Sequence, residues 1–194
     1  MVNRYREYIN IYTHTTNMGQ ALSYIFYAHG ILSIRKLYIE GDRYDEYDDY
    51  PIDKFRSLIG VTVGWTLLHY SFLFRESATA FSVLAQLRKA GEKIGINAIK
   101  YGSAGGNVML NAVRTSGNMV EQSPAFLILL WLHGIFISPS SASWHGWLWL
   151  FFRSIYPQVF GTIPYIFFST FPGYFIIASL TWPLARLTYK TDSD

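Results

Sequence analysis

Arg114, Asn118 and Glu121 enter an otherwise apolar run, RTSGNMVEQSPAFLILLWLHGIF from Arg114 to Phe136. On a helix advancing about 100° per residue, Asn118 lies roughly 40° around the axis from Arg114 and Glu121 roughly 20° from it, so the three share one stripe. A charge facing lipid costs on the order of 2.5–3.5 kcal/mol even on lenient insertion scales, so the stripe must face protein or water. Two chemistries fit those residue types. The stripe is either a ligand site built on a cation and a carboxylate, or an Arg-Glu pair that joins helices inside a bundle.

The elements that hold the stripe are those of a membrane protein. Hydrophobic residues make up 51% of the 194, aromatics 18% and charged residues 15%, against roughly 25% charged in ordinary soluble domains. Mean hydropathy is only +0.15, because most of the acids sit in residues 1–56 while 57–188 is largely apolar. The expected fold class is therefore all-α: a polytopic membrane protein with four transmembrane helices and an N-terminal extension. The spans expected are about Ser57 to Leu87, interrupted by Arg75 and Glu76; Met109 to Ile137, closed by Pro139; Trp144 to Phe160; and Pro164 to Leu187. Each approaches or exceeds the about 20 residues that a hydrocarbon core requires. Trp144, Trp147, Trp149 and Trp182 suit aromatic belts, and Pro157, Pro164 and Pro172 are expected to kink or break the last two helices. Arg88, Lys89, Lys93 and Lys100 place the first link on the cytoplasm-equivalent side, with both termini opposite.

The remaining polar features are less specific. Residues 1–56 form an extension in which Ala21 to Ile39 reads as an interfacial or docked helix. Gly41 to Asp53 follows as an acidic, tyrosine-rich connector, either a solvated linker or a docking strip for a basic partner. Residues 189–194 are a polar tail. GSAGG, Gly102 to Gly106, lacks the lysine-serine of a phosphate loop and is expected to be a flexible hinge. His14, His29, His69, His133 and His145 fall at no metal-ligand spacing, so no metal is expected, and His133 is expected to fill a helix interface. Cysteine is absent, which removes disulfides and thiolate sites. A net charge of +3 without a basic block argues against nucleic acid and suits contact with membrane lipids.

VRTSGNMVEQSPAFLILLWLHGIF resembles the second-helix signature of the membrane-associated proteins in eicosanoid and glutathione metabolism, the MAPEG family. The match runs through arginine, asparagine at +4, glutamate at +7, glutamine at +8 and proline at +10, then a leucine-rich helix ending in glycine. QLRKA, Gln86 to Ala90, is similar to the basic end of that family's first helix, and FFRSIY, Phe151 to Tyr156, to its third-helix arginine and tyrosine. The resemblance covers about residues 57–188. It implies a left-handed four-helix bundle that forms a homotrimer and holds glutathione, as cosubstrate or ligand, between neighbouring subunits. Arg114, Asn118, Glu121 and Gln122 would contact the tripeptide, with Tyr156 and Arg88 or Lys89 closing the site. Glutathione carries two carboxylates and one ammonium, which cations and a carboxylate such as Glu121 would match.

The sequence departs from catalytic relatives similar to leukotriene synthase. Phe160 stands where they carry a tyrosine, and Phe167 where they carry an arginine; neither side chain can stabilise a thiolate. Arg153 matches a family position of structural character. The resemblance thus implies either glutathione transferase or peroxidase chemistry in weakened form, or a non-catalytic accessory subunit of a larger membrane complex docked through residues 1–56. The first reading goes with an endoplasmic-reticulum-type membrane, the second with an organelle inner membrane.

Overall fold

The computed structural model describes residues 52–162 and 164–189. The extension up to residue 51, with its expected docked helix, and the tail beyond residue 189 lie outside the described residues. The described residues form five helices: α1 (Ile52–Lys89), α2 (Ile96–Lys100), α3 (Gly106–Phe136), α4 (Pro139–Val159) and α5 (Ile166–Tyr189). The four long ones follow the four apolar runs, with ends shifted by a few residues. α1 and α3 are long and apolar enough to cross a membrane. α4 and α5, with 21 and 24 residues, reach about 31 and 36 Å and are rich in aromatic side chains.

Side-chain pairs fix the arrangement as up-down-up-down. Trp131 Nε1 donates to Thr62 Oγ1 at 3.2 Å, Trp65 Nε1 to Ser123 Oγ at 2.9 Å, and Ser116 Oγ to Glu76, so α1 and α3 run antiparallel. Phe126 stacks on Trp149 with ring centroids 3.9 Å apart, and Asn111 Nδ2 donates to the Pro157 carbonyl at 3.3 Å, which sets α4 against α3 in the same sense. Ser169 Oγ donates to the Phe152 carbonyl at 2.6 Å, turning α5 back along α4. His133 accordingly joins three helices, with Nδ1 3.2 Å from the Leu180 carbonyl and Nε2 3.2 Å from Ser141 Oγ.

Small residues set the closest approaches. A Cβ on Gly146 would lie 2.5 Å from Val61 Cγ1, and one on Gly64 would lie 3.0 Å from the Trp147 ring. Helices in lipid gain no hydrophobic driving force from meeting each other, so close van der Waals contact and interhelical hydrogen bonds must hold them. The core of Leu58, Val61, Phe126, Leu130, Trp149 and Leu180 fills one half of the bundle. The other half, towards the basic link, holds Arg75, Glu76, Asn111, Thr115, Ser116 and Arg153 among its buried or half-buried polar groups. α4 starts from Ser138, whose hydroxyl accepts from Ser141 N at 3.3 Å, with Pro139 pre-set in the first turn.

GSAGG forms the corner between α2 and α3, close at two of its glycines: a Cβ on Gly102 would meet the Ala98 carbonyl at 2.6 Å, and one on Gly105 the Ile99 carbonyl at 2.6 Å. Glycine is needed there because α2 folds tightly onto the start of α3. Pro157 lies inside α4 and Pro172 and Pro183 inside α5, so the helices run through them as the expected spans did. Pro172 removes the donor for the Phe168 carbonyl, yet the adjacent Ser169 and Gly173 are buried against α4, and that packing carries the helix through. α4 ends at Val159 and α5 begins at Ile166, and between them Gly161 adopts φ 81°.

Candidate functional site

The polar half of the bundle separates into an inward network and an outward face. Innermost is Arg153, 1% exposed, at the crossing of α3, α4 and α5. Its guanidinium donates to Asn118 Oδ1 and to Gln122 Oε1. It also lies 5.2 Å from the Trp149 ring centroid and 5.9 Å from that of Tyr156. A buried cation must be compensated; here two amide oxygens and two aromatic faces do so, and no carboxylate pairs with it among the described residues. Asn118 and Gln122 are four residues apart on one face of α3, which lets a single planar fork engage both.

A second network ties α1 to the same end. Arg75, buried, donates through Nη2 to Asn111 Oδ1 at 2.8 Å and through Nη1 to Thr115 Oγ1 at 3.3 Å. The Asn111 amide in turn donates to the Pro157 carbonyl, one of the last carbonyls of α4, which have no helical donor. Glu76 accepts from Ser116 and pairs with Lys100 Nζ at 2.9 Å, pinning α2 to the bundle. That hydrogen bond holds the Lys100 ammonium above the usual lysine range.

The expected stripe divides between these two environments. Asn118 is half-buried and Gln122 buried, both engaged by Arg153, whereas Arg114 and Glu121 are exposed on the outer face of α3. No ion pair joins Arg114 to Glu121 among the described residues, so the helix-joining Arg-Glu pair does not form within one chain. Tyr156 is 4% exposed and lies within reach of the charges of Arg114, Arg153 and Glu121 and of the Tyr174 phenol. The structure therefore brings Asn118, Gln122 and Tyr156 together around Arg153, with Arg114 and Glu121 near enough for their charges to act on Tyr156. Arg88 and Lys89 are not gathered: they lie exposed in the last turn of α1, Arg88 about 18 Å along the axis from Glu76. Phe160 packs 5.7 Å from Tyr156, and Phe167 stacks on Phe171 at 5.0 Å.

Tyr174 is the member that the sequence did not reveal. It sits on α5, 52 residues from Gln122, whose Nε2 donates to its phenol oxygen at 3.4 Å. Nothing in FPGYF, Phe171 to Phe175, distinguishes it from a membrane-interface tyrosine. Arg75 was visible only as an interruption in an apolar run, with no sign of the partners that make it a tie between helices.

The density and order of the α3 signature, now seen on a bundle of four long helices, agree with comparison against known families. A family model described as the MAPEG family matches residues 58–185. The chain belongs to the MAPEG family. No curated protein and no solved structure matches it significantly. With α1 and α3 apolar and long enough to span, family membership makes this an integral membrane protein.

Proposed function

We propose that this MAPEG member crosses the membrane four times and binds glutathione on the Arg114–Glu121 face of α3, in a site walled by a neighbouring copy, with weak thiol-transfer chemistry. One observation carries the reading: Arg114 and Glu121 stand exposed and unpaired with each other on a helix long and apolar enough to cross a membrane. Charges in that setting need partners, and the described residues supply no ion pair between the two. A tripeptide with two carboxylates and one ammonium offers both, the guanidinium binding a carboxylate in bidentate fashion and Glu121 the ammonium. Asn118 and Gln122 would then act through their hold on Arg153 at least as much as through the ligand. Phe160 and Phe167 support weak chemistry, because neither supplies the hydrogen bond or cation that keeps a thiol ionised. The test is glutathione titration of the detergent-solubilised protein, together with its native mass. Binding by a homotrimer supports the reading, and absence of binding overturns it.

A second reading is favoured by one feature of the extension. Gly41 to Asp53 alternates acids with tyrosines, a composition suited to a basic protein surface. On that reading the protein is an accessory subunit of a larger membrane complex, and native mass would return a stoichiometric hetero-assembly.

A further inference from the structure

A hydrogen-bond chain leads from the buried centre of the bundle to its surface. Arg153 donates to Gln122 Oε1, and the other end of the same amide donates to the Tyr174 phenol oxygen at 3.4 Å. A phenol oxygen that already accepts a hydrogen bond still has its own O–H to donate. Tyr174 is 52% exposed, so that donor is available to a ligand. The chain also has a direction: the guanidinium withdraws electron density from the amide, the amide from the phenol, and in a low-dielectric interior such bonds reinforce one another. The outermost O–H is the strengthened one. Tyr174 touches Gln122, the residue that follows Glu121 on α3, so the phenol stands beside the proposed ligand site.

We propose that Tyr174 donates a hydrogen bond to the sulfur of the bound thiol peptide, and that Gln122 and Arg153 are positioning residues that poise it. This rests on the reading of the Arg114–Glu121 face as a glutathione site. It answers a specific gap. Phe167 carries no donor, but Tyr174 follows it by seven residues, roughly 20° away around α5, so the same side of that helix regains a polar group two turns further along. When the thiol ionises, its proton passes to water, the sulfur keeps the electron pair, and the phenol hydrogen bond stabilises the resulting anion; no bond to carbon forms or breaks in this step. A neutral phenol does this less well than a guanidinium, in keeping with weak rather than absent thiol activation.

The test uses the full chain in detergent, with reduced glutathione as the probe. Two quantities are read near neutral pH: the dissociation constant, and the ultraviolet thiolate absorbance of the bound ligand. Tyr174→Phe keeps the ring and its packing, so affinity should stay within about twofold, while the thiolate-to-thiol ratio falls about ten- to a hundredfold, the weight of one hydrogen bond to a charged group. Gln122→Met, which cuts the chain one step earlier, should lower the thiolate signal in the same direction. A purely structural role would not change the ligand's ionisation at constant affinity. A thiolate signal unchanged in Tyr174→Phe, or wild-type protein that binds glutathione wholly as thiol, would overturn the role of Tyr174 and leave the binding site standing. Wild-type protein that fails to bind glutathione would overturn the site reading and this role with it.

Discussion

Replacing Arg153 by lysine and by methionine separates two effects that its burial combines. The guanidinium serves Asn118 and Gln122 at once through a planar fork, whereas a lysine ammonium is a point charge on a flexible stem. Lysine keeps the charge buried but can satisfy one amide oxygen well, so about one charge-assisted hydrogen bond is lost, worth about 1.5–3 kcal/mol. For a chain of this size each kcal/mol moves the melting temperature by about 2–4 °C, which gives a drop of about 3–12 °C. Methionine leaves the Gln122 oxygen buried without its donor, at about 1–3 kcal/mol. It also removes an ion whose burial carries an effective penalty of several kcal/mol, which two amide oxygens and two aromatic faces offset only in part, since no carboxylate pairs with it among the described residues. Arg153→Met should therefore melt above Arg153→Lys although it is the less conservative change. The assay is thermal unfolding in one detergent, followed by tryptophan fluorescence and by helical circular dichroism. A methionine variant clearly less stable than the lysine variant would refute the reasoning, since it would mean that the charge itself contributes more than its burial costs.

Other outcomes follow from the same structure. Gly146→Ala places a methyl 2.5 Å from Val61 Cγ1, a stiff β-branched side chain, and should cost about 1–3 kcal/mol, whereas a Cβ on Gly117 meets nothing within 4 Å and Gly117→Ala should gain up to about 1 kcal/mol. Paired melting curves check the contrast. Lys100 is held above its usual range by Glu76, so the contribution of this pair is complete below about pH 10 and is lost as pH rises through the elevated value; the stability difference between wild type and Lys100→Met should shrink over that alkaline range. Removal of residues 1–51, which precede the described helices, should leave the melting temperature of the bundle nearly unchanged while releasing any partner bound through the extension, as native gels of the two forms would show.

The helices were legible in the sequence because lipid demands long apolar runs and their ends are marked by Pro139, the Gly102–Gly106 cluster and the Arg88–Lys100 link. The polar stripe was legible for the converse reason, since Arg114 and Glu121 have few rivals within the run that contains them. What the sequence could not supply was direction. A stripe drawn on one helix does not reveal that Asn118 and Gln122 turn inward to Arg153 while Arg114 and Glu121 face out, because that division depends on where α4 and α5 pack. Tyr174 is the sharpest case: its role rests on one contact with a residue on another helix, and its own neighbours are ordinary membrane aromatics. The prolines were legible in part: Pro164 falls in the turn between the last two helices, while Pro157 and Pro172 lie inside helices, as the expected spans had them.

Glu121→Gln, compared with wild type for glutathione affinity and thermal stability in the same detergent, tests the central claim most directly. Glu121 is exposed and makes no ion pair with Arg114 within the chain, so the substitution should leave the melting temperature within about 2 °C, as expected of an exposed site. If Glu121 holds the ammonium of the ligand, the loss of a charge-assisted contact should weaken glutathione binding by about ten- to a hundredfold. A well-folded variant that binds glutathione as tightly as wild type would contradict the ligand-site account.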